Sequence, residues 1–136
     1  MKTSALIATV VAATFLMQNQ PEDSARKIKE LRKERIAALE QVADAMMEMH
    51  INGQGSLSEV VGARLLLVQA KVEAAETDAE RIKLLEKAVE VTREFEAITK
   101  AQREQGDGNL ADNLKMKARR LEAEITLEQA RARAAK

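Results

Sequence analysis

Apolar residues recur at intervals of three and four from Ile28 to Ile125, and two glycine-rich breaks, Asn52–Gly55 and Gly106–Asn109, interrupt them. That rhythm gathers apolar side chains on one stripe of a helix, whereas a strand requires alternation with a period of two. Glycine ends a helix readily because it enters the left-handed cap conformation without strain. The pattern predicts an all-α chain of long helices joined by tight turns.

Four helices are expected. The first runs from about Pro21, capped by Asp23 or Ser24, to Ile51, with Ile28, Leu31, Leu39, Val42, Met46 and Met49 on its stripe. Ser56 caps the second, and Glu59 three residues later completes a capping box. Its stripe is Leu57, Val61, Leu65, Val68, Val72 and Ala75. Thr77 or Asp78 opens the third, which carries Leu84, Ala88, Val91, Phe95 and Ile98 and ends near Gln105. Asn109 caps the fourth, whose stripe is Leu110, Leu114, Ala118, Leu121 and Ile125, interrupted by Lys117. Arms of roughly 25 to 28 residues would be about 40 Å long.

The chain reads as a duplication. ERIAALE, residues 34–40, matches ERIKLLE, residues 80–86, at an offset of 46, and GQGSLSEVV, residues 53–61, matches GDGNLADNL, residues 106–114, at an offset of 53. The offsets differ by one heptad, so the third helix lengthens without changing its apolar face. The expected architecture is two repeated antiparallel helical hairpins, residues 21–76 and 77–136, forming an elongated four-helix bundle or coiled coil. The glycine turns are its tips.

Aromatic residues make up 1% of the chain, Phe15 and Phe95, so Leu, Ile, Val, Ala and Met must supply the buried surface. With 32% charged residues, such a composition belongs to long helices rather than to an aromatic-centred globule. The formal net charge is +0, which argues against long-range attraction to nucleic acid or an anionic membrane. The basic tail, KARR followed by RARAAK, reads as a solvated helix face. No cysteine is present, which removes disulfides and thiolate metal sites.

Residues 1–20 form a separate segment. Lys2 precedes an apolar run from Ala5 to Met17, too short to span a membrane as a helix and suited to a signal peptide or an N-terminal anchor. Export to the periplasm or cell envelope is the expected localisation.

Gly53, Ser56, Glu59, Val60, Ala63, Leu67 and Ala70 make a glycine, a cap, an acid and a long Leu/Ala helix. Gly106, Asn109, Asp112, Asn113, Met116, Leu121 and Ala123 repeat it more loosely. This pattern resembles the repeat of outer-membrane efflux proteins of the TolC family, over most of residues 30–130. The resemblance implies periplasmic hairpins that pack side by side, with glycine tips facing an inner-membrane adaptor. Members of that family are several times longer and carry barrel strands, which have no counterpart here. What carries over is the hairpin and its tip.

Partner contacts are accordingly expected at Gly53, Gly55, Ser56, Leu57, Gly106, Gly108, Asn109 and Leu110. The partner is a second copy or another helical envelope protein; neither nucleic acid nor a small-molecule substrate is indicated. MMEMH, residues 46–50, is a candidate for soft-metal chemistry, since thioethers and an imidazole suit Cu(I). Met46, Met49 and His50 could share a face, with Met47 pointing elsewhere. The plainer reading is gap-filling core for the methionines and a helix-end cation for His50. No cofactor is expected, and no constellation of acids, His or Ser suggests catalysis. The functional reading is a non-catalytic, exported interaction protein. Its alternatives are an efflux component that contacts an adaptor through the tips, and a small copper-binding or stress-sensing helical protein.

Overall fold

The computed structural model of the chain describes residues 20–136; the apolar run from Ala5 to Met17 lies outside them. The described residues form four helices: α1 (Gln20–Ile51), α2 (Leu57–Ala74), α3 (Asp78–Glu104) and α4 (Leu110–Ala134). Among them there is no strand, so the class is all-α. Two local expectations are corrected. Gln20 is already helical, which places Asp23 and Ser24 inside α1 rather than at its cap. Moreover, α2 has 18 residues and is about 27 Å long, shorter than the expected arm. It stops because Ala75 turns to extended backbone, and Thr77 then caps α3 by accepting from the Glu80 N–H.

Consecutive helices pack on one another in chain order, α1 on α2, α2 on α3 and α3 on α4. Cross-helix ion pairs show the antiparallel sense. As residue numbers rise on α1 they fall on α2: Lys29 pairs with Glu76, Arg35 with Glu73 and Glu40 with Lys71. On α3 and α4, Glu86 pairs with Arg131, Arg93 with Glu124 and Glu96 with Arg120. Both glycine turns therefore lie at the same end of the array.

The core has two parts. Val60 and Val61 of α2, Phe95 of α3 and Met116 of α4 form the one nearer the turns, with Leu57, Leu65, Val91, Met46 and Met47 packed around it. Leu85, Val89 and Leu127 form the other, covered by Val72, Ile82, Ala123 and Ala130. Arg64 lies 5.5 Å from the centre of the Phe95 ring and roofs the first cluster with a cation–π contact. Thr92 and Thr99 are buried within α3, and their hydroxyls donate to carbonyls one turn back, which removes the cost of burying them.

The α4 stripe is the main departure from the periodicity. Leu110, Leu114, Leu121 and Ile125 are exposed, and the seam against α3 is Asn113, Met116, Arg120, Ala123 and Leu127 instead. Likewise α1 turns Ala43, with half-buried Ile36, Leu39, Met46 and Met47, toward α2, and leaves Ile28, Leu31, Val42 and Met49 outside.

Truncating Phe95 to alanine should therefore cost roughly 3–5 kcal/mol, since it opens a cavity where three helices meet. Leu66→Ala, at an exposed position of α2, should change stability by about 0.5 kcal/mol or less. Urea denaturation followed by helical circular dichroism measures both.

Candidate interaction surfaces

The glycine turns are built alike. Gly53 has φ +74° and Gly106 has φ +84°, the left-handed conformation that closes each helix. Beyond them, the Ser56 hydroxyl accepts from the Glu59 N–H while the Glu59 carboxylate accepts from the Ser56 N–H, which is the expected capping box. At the other turn the Asn109 side chain accepts from the Asp112 N–H. Gly108 is held by close approach: a Cβ there would come within 3.1 Å of the Arg103 backbone nitrogen.

The predicted tip residues fall into two groups. Gly53, Ser56, Gly106, Asn109 and Leu110 are exposed at the ends of the hairpins. Gly55 and Gly108 are half-buried beneath their own helix ends, and Leu57 packs against the first core cluster. Leu110, the counterpart of Leu57, has half its surface exposed.

The MMEMH segment is divided between two faces. Met46 and Met47 both pack toward Val60 and Val61, whereas Met49 is exposed. The expectation that Met47 points elsewhere, with Met46 and Met49 on one face, is thus corrected. At 100° per residue Met46 and Met47 straddle the line through Ala43 and His50 that faces α2. His50 is half-buried, and its Nδ1 lies 2.9 Å from the Gly55 carbonyl. A carbonyl only accepts, so Nδ1 carries the proton and the ring pins the turn. Among the described residues no three His, Cys, Asp or Glu side chains gather as a metal site.

Two exposed apolar stripes remain, one at each end of the array. The α4 stripe is Leu110, Leu114, Ala118, Leu121 and Ile125; the α1 stripe is Ile28, Leu31, Ala38, Val42, Ala45 and Met49. Single exposed leucines are ordinary on a protein surface, but a row of them at heptad spacing has the form of a helix-packing seam.

Arginines 119 and 120 correct the reading of the basic tail as a solvated face. Arg119 donates to the Ser58 carbonyl and tethers α4 to α2. Arg120 bridges Glu96 and Glu124 in a half-buried network that Arg93 joins. Their signal in the sequence is their spacing from Met116, Ala123 and Leu127, which puts Arg120 on the α3 seam and Arg119 on the side toward α2.

Four carboxylates are held below the usual carboxylate range. For Glu59 the leading cause is the hydrogen bond from the Ser56 N–H, and for Glu73 the one from Arg35. Lys29 does the same for Glu76, and Arg93 for Glu124. No helix among the described residues is long and apolar enough to cross a membrane. No family model matches the chain, and no curated protein or solved structure matches it either.

Because these carboxylates have depressed folded-state pKa values, the stability they contribute is present above their ordinary value and is lost as pH falls through the depressed one. Glu59→Gln should therefore lower the thermal midpoint at pH 7 and leave the two proteins nearly alike well below the ordinary carboxylate pKa. Gly106→Ala should cost on the order of 1 kcal/mol at either pH, because the strain at positive φ does not titrate.

Proposed function

We propose that this chain is an exported, non-catalytic coiled-coil protein that works by association: two copies of one helical hairpin, joined in series, that complete their packing against another copy. The observation that carries the reading is the pair of exposed heptad stripes on α1 and α4. Leu110, Leu114 and Ile125 each leave half or more of their surface in water. Apolar rows of that length are used for packing against a further helix.

Export rests on the apolar run from Ala5 to Met17 behind Lys2. The resemblance of the glycine-capped repeat to the periplasmic hairpins of TolC-family efflux proteins fits this compartment. It also suggests the neighbourhood in which such a protein would act, the cell envelope. The absence of a catalytic role is inferred from the charges. Many of the acids pair with Lys or Arg across or along the helices, where each exposed pair contributes tenths of a kcal/mol and sets register.

Light scattering on the purified full chain across a concentration series tests the reading. A discrete oligomer, or a mass that rises with concentration, is the expected result. A monomer at every concentration, with helical content intact, would sink it.

A further inference from the structure

Counted from Gly53 and Gly106, every position of the first half has a counterpart 53 residues on, and the burial of the counterparts can be compared. Val60, Ala63, Leu67, Ala70 and Ala74, the side of α2 that faces α1, correspond to Asn113, Met116, Arg120, Ala123 and Leu127, the side of α4 that faces α3. These two sets are buried or half-buried alike. The other side of α2 is Leu57, Val61, Leu65, Val68 and Val72, all buried or half-buried; Leu57, Val61, Leu65 and Val72 join the clusters built on Phe95, Leu85 and Val89 of α3, which Met116 and Leu127 of α4 complete. Its counterparts are Leu110, Leu114, Ala118, Leu121 and Ile125, all exposed. Val61 is 0% exposed and Leu114 is 50%.

The same comparison holds for the helix on the receiving side. Leu84, Ala88, Val91 and Phe95 of α3, all buried or half-buried, correspond to Leu31, Arg35, Ala38 and Val42 of α1, all exposed; beyond them Ile98 and its counterpart Ala45 are exposed alike. Phe95 is 3% exposed against α2, whereas Val42 is 40% exposed. The interface between α2 and α3 is thus present once, complete, inside the chain. Its two halves recur, unjoined, on α4 and α1.

We infer that a second copy of this chain covers these stripes, with α4 of one copy seated antiparallel on α1 of the next in the manner of α2 on α3. This deepens the association reading above and rests on it. Leu114 would meet the Val42 end of the neighbouring α1, and Ile125 the Leu31 end. Lys117, which interrupts the α4 stripe, fits this arrangement. Its counterpart is Arg64, which sits at the rim of the internal interface over Phe95. Arg35 stands where Ala88 stands, and it is drawn aside to Glu73.

Helix lengths agree with the same contact. Ala74, where α2 must stop for the chain to turn, corresponds to Leu127, yet α4 continues to Ala134. Asp78, where α3 begins, corresponds to Ala25, yet α1 is already helical at Gln20. Both extensions lie at the end away from the glycine turns, so they lengthen one shared seam. Because the two faces differ, the contact is head-to-tail, and it either closes a ring or grows as an open array.

The test uses two full-length variants, one blocked on each face. Leu121→Glu with Ile125→Glu blocks α4, and Val42→Glu blocks α1; all three positions are exposed in the single chain. Light scattering should find each variant monomeric, with helical circular dichroism unchanged. Their equimolar mixture should form a two-chain particle, because each supplies the face that the other lacks. If glutamate disturbs the helix, Leu121→Gln with Ile125→Gln replaces the α4 variant.

Self-association that survives both blocked variants would overturn the α4-on-α1 contact while leaving the association reading in place. Monomeric variants whose mixture does not pair would also overturn it, in favour of like faces meeting. A monomeric parent chain would overturn the contact and the reading together.

Discussion

The second helix has a neighbour on each side, and the rest of the array depends on how it satisfies both. Its two seams differ in bulk. Toward α1 it offers Ala63, Ala70 and Ala74, which let the backbones approach closely; toward α3 it offers Val61, Leu65, Val68 and Val72. Among the described residues Phe95, between α2 and α4, is the one large ring around which a centre can be built. Stability must come from many small apolar contacts repeated along helices, and these accumulate only when neighbouring helices run side by side for several turns. Hence the packing follows chain order.

Charged side chains arrange this packing more than they stabilise it. The ladders from Lys29–Glu76 to Glu40–Lys71 and from Glu86–Arg131 to Glu96–Arg120 flank the two seams. Being mostly exposed, they contribute little energy individually. A slip of one turn would misalign every rung at once, so their effect is on register. The Arg120–Glu96 pair is the least solvated of them, and it sits beside the buried Thr92 and Thr99 in the one stretch of α3 where the seam turns polar.

Turns and caps were the most legible features of the sequence. Gly53, Ser56 with Glu59, Thr77, Gly106 and Asn109 all act where expected, because a cap is a contact among residues three or four apart and needs no tertiary partner. The end of α2 is not legible in the sequence, for a related reason. The Thr77 cap was readable, but Ala75 and Glu76 carry no glycine or proline to show that the helix stops before them. The methionines of α1 were partly legible: Met46 as core, with Met47 escaping because a helix packed on a single neighbour can turn two adjacent positions toward it.

The face of α4 shows where sequence reasoning ends. Its most regular apolar stripe, Leu110 to Ile125, is the exposed one, and the buried seam includes Asn113 and Arg120. Hydrophobicity ranks the outward stripe higher, and by periodicity alone that ranking is sound. The sequence by itself determined four helices, their breaks and the caps of α2, α3 and α4, since backbone hydrogen bonding and capping are settled within a few residues. Which stripe of each helix is covered was decided by the tertiary structure alone. Burial depends on whether a neighbour stands on that side: α2 is covered on both, whereas α1 meets only α2, and α4, which packs on α3 and reaches α2 through Met116 and Arg119, has nothing over its outward stripe.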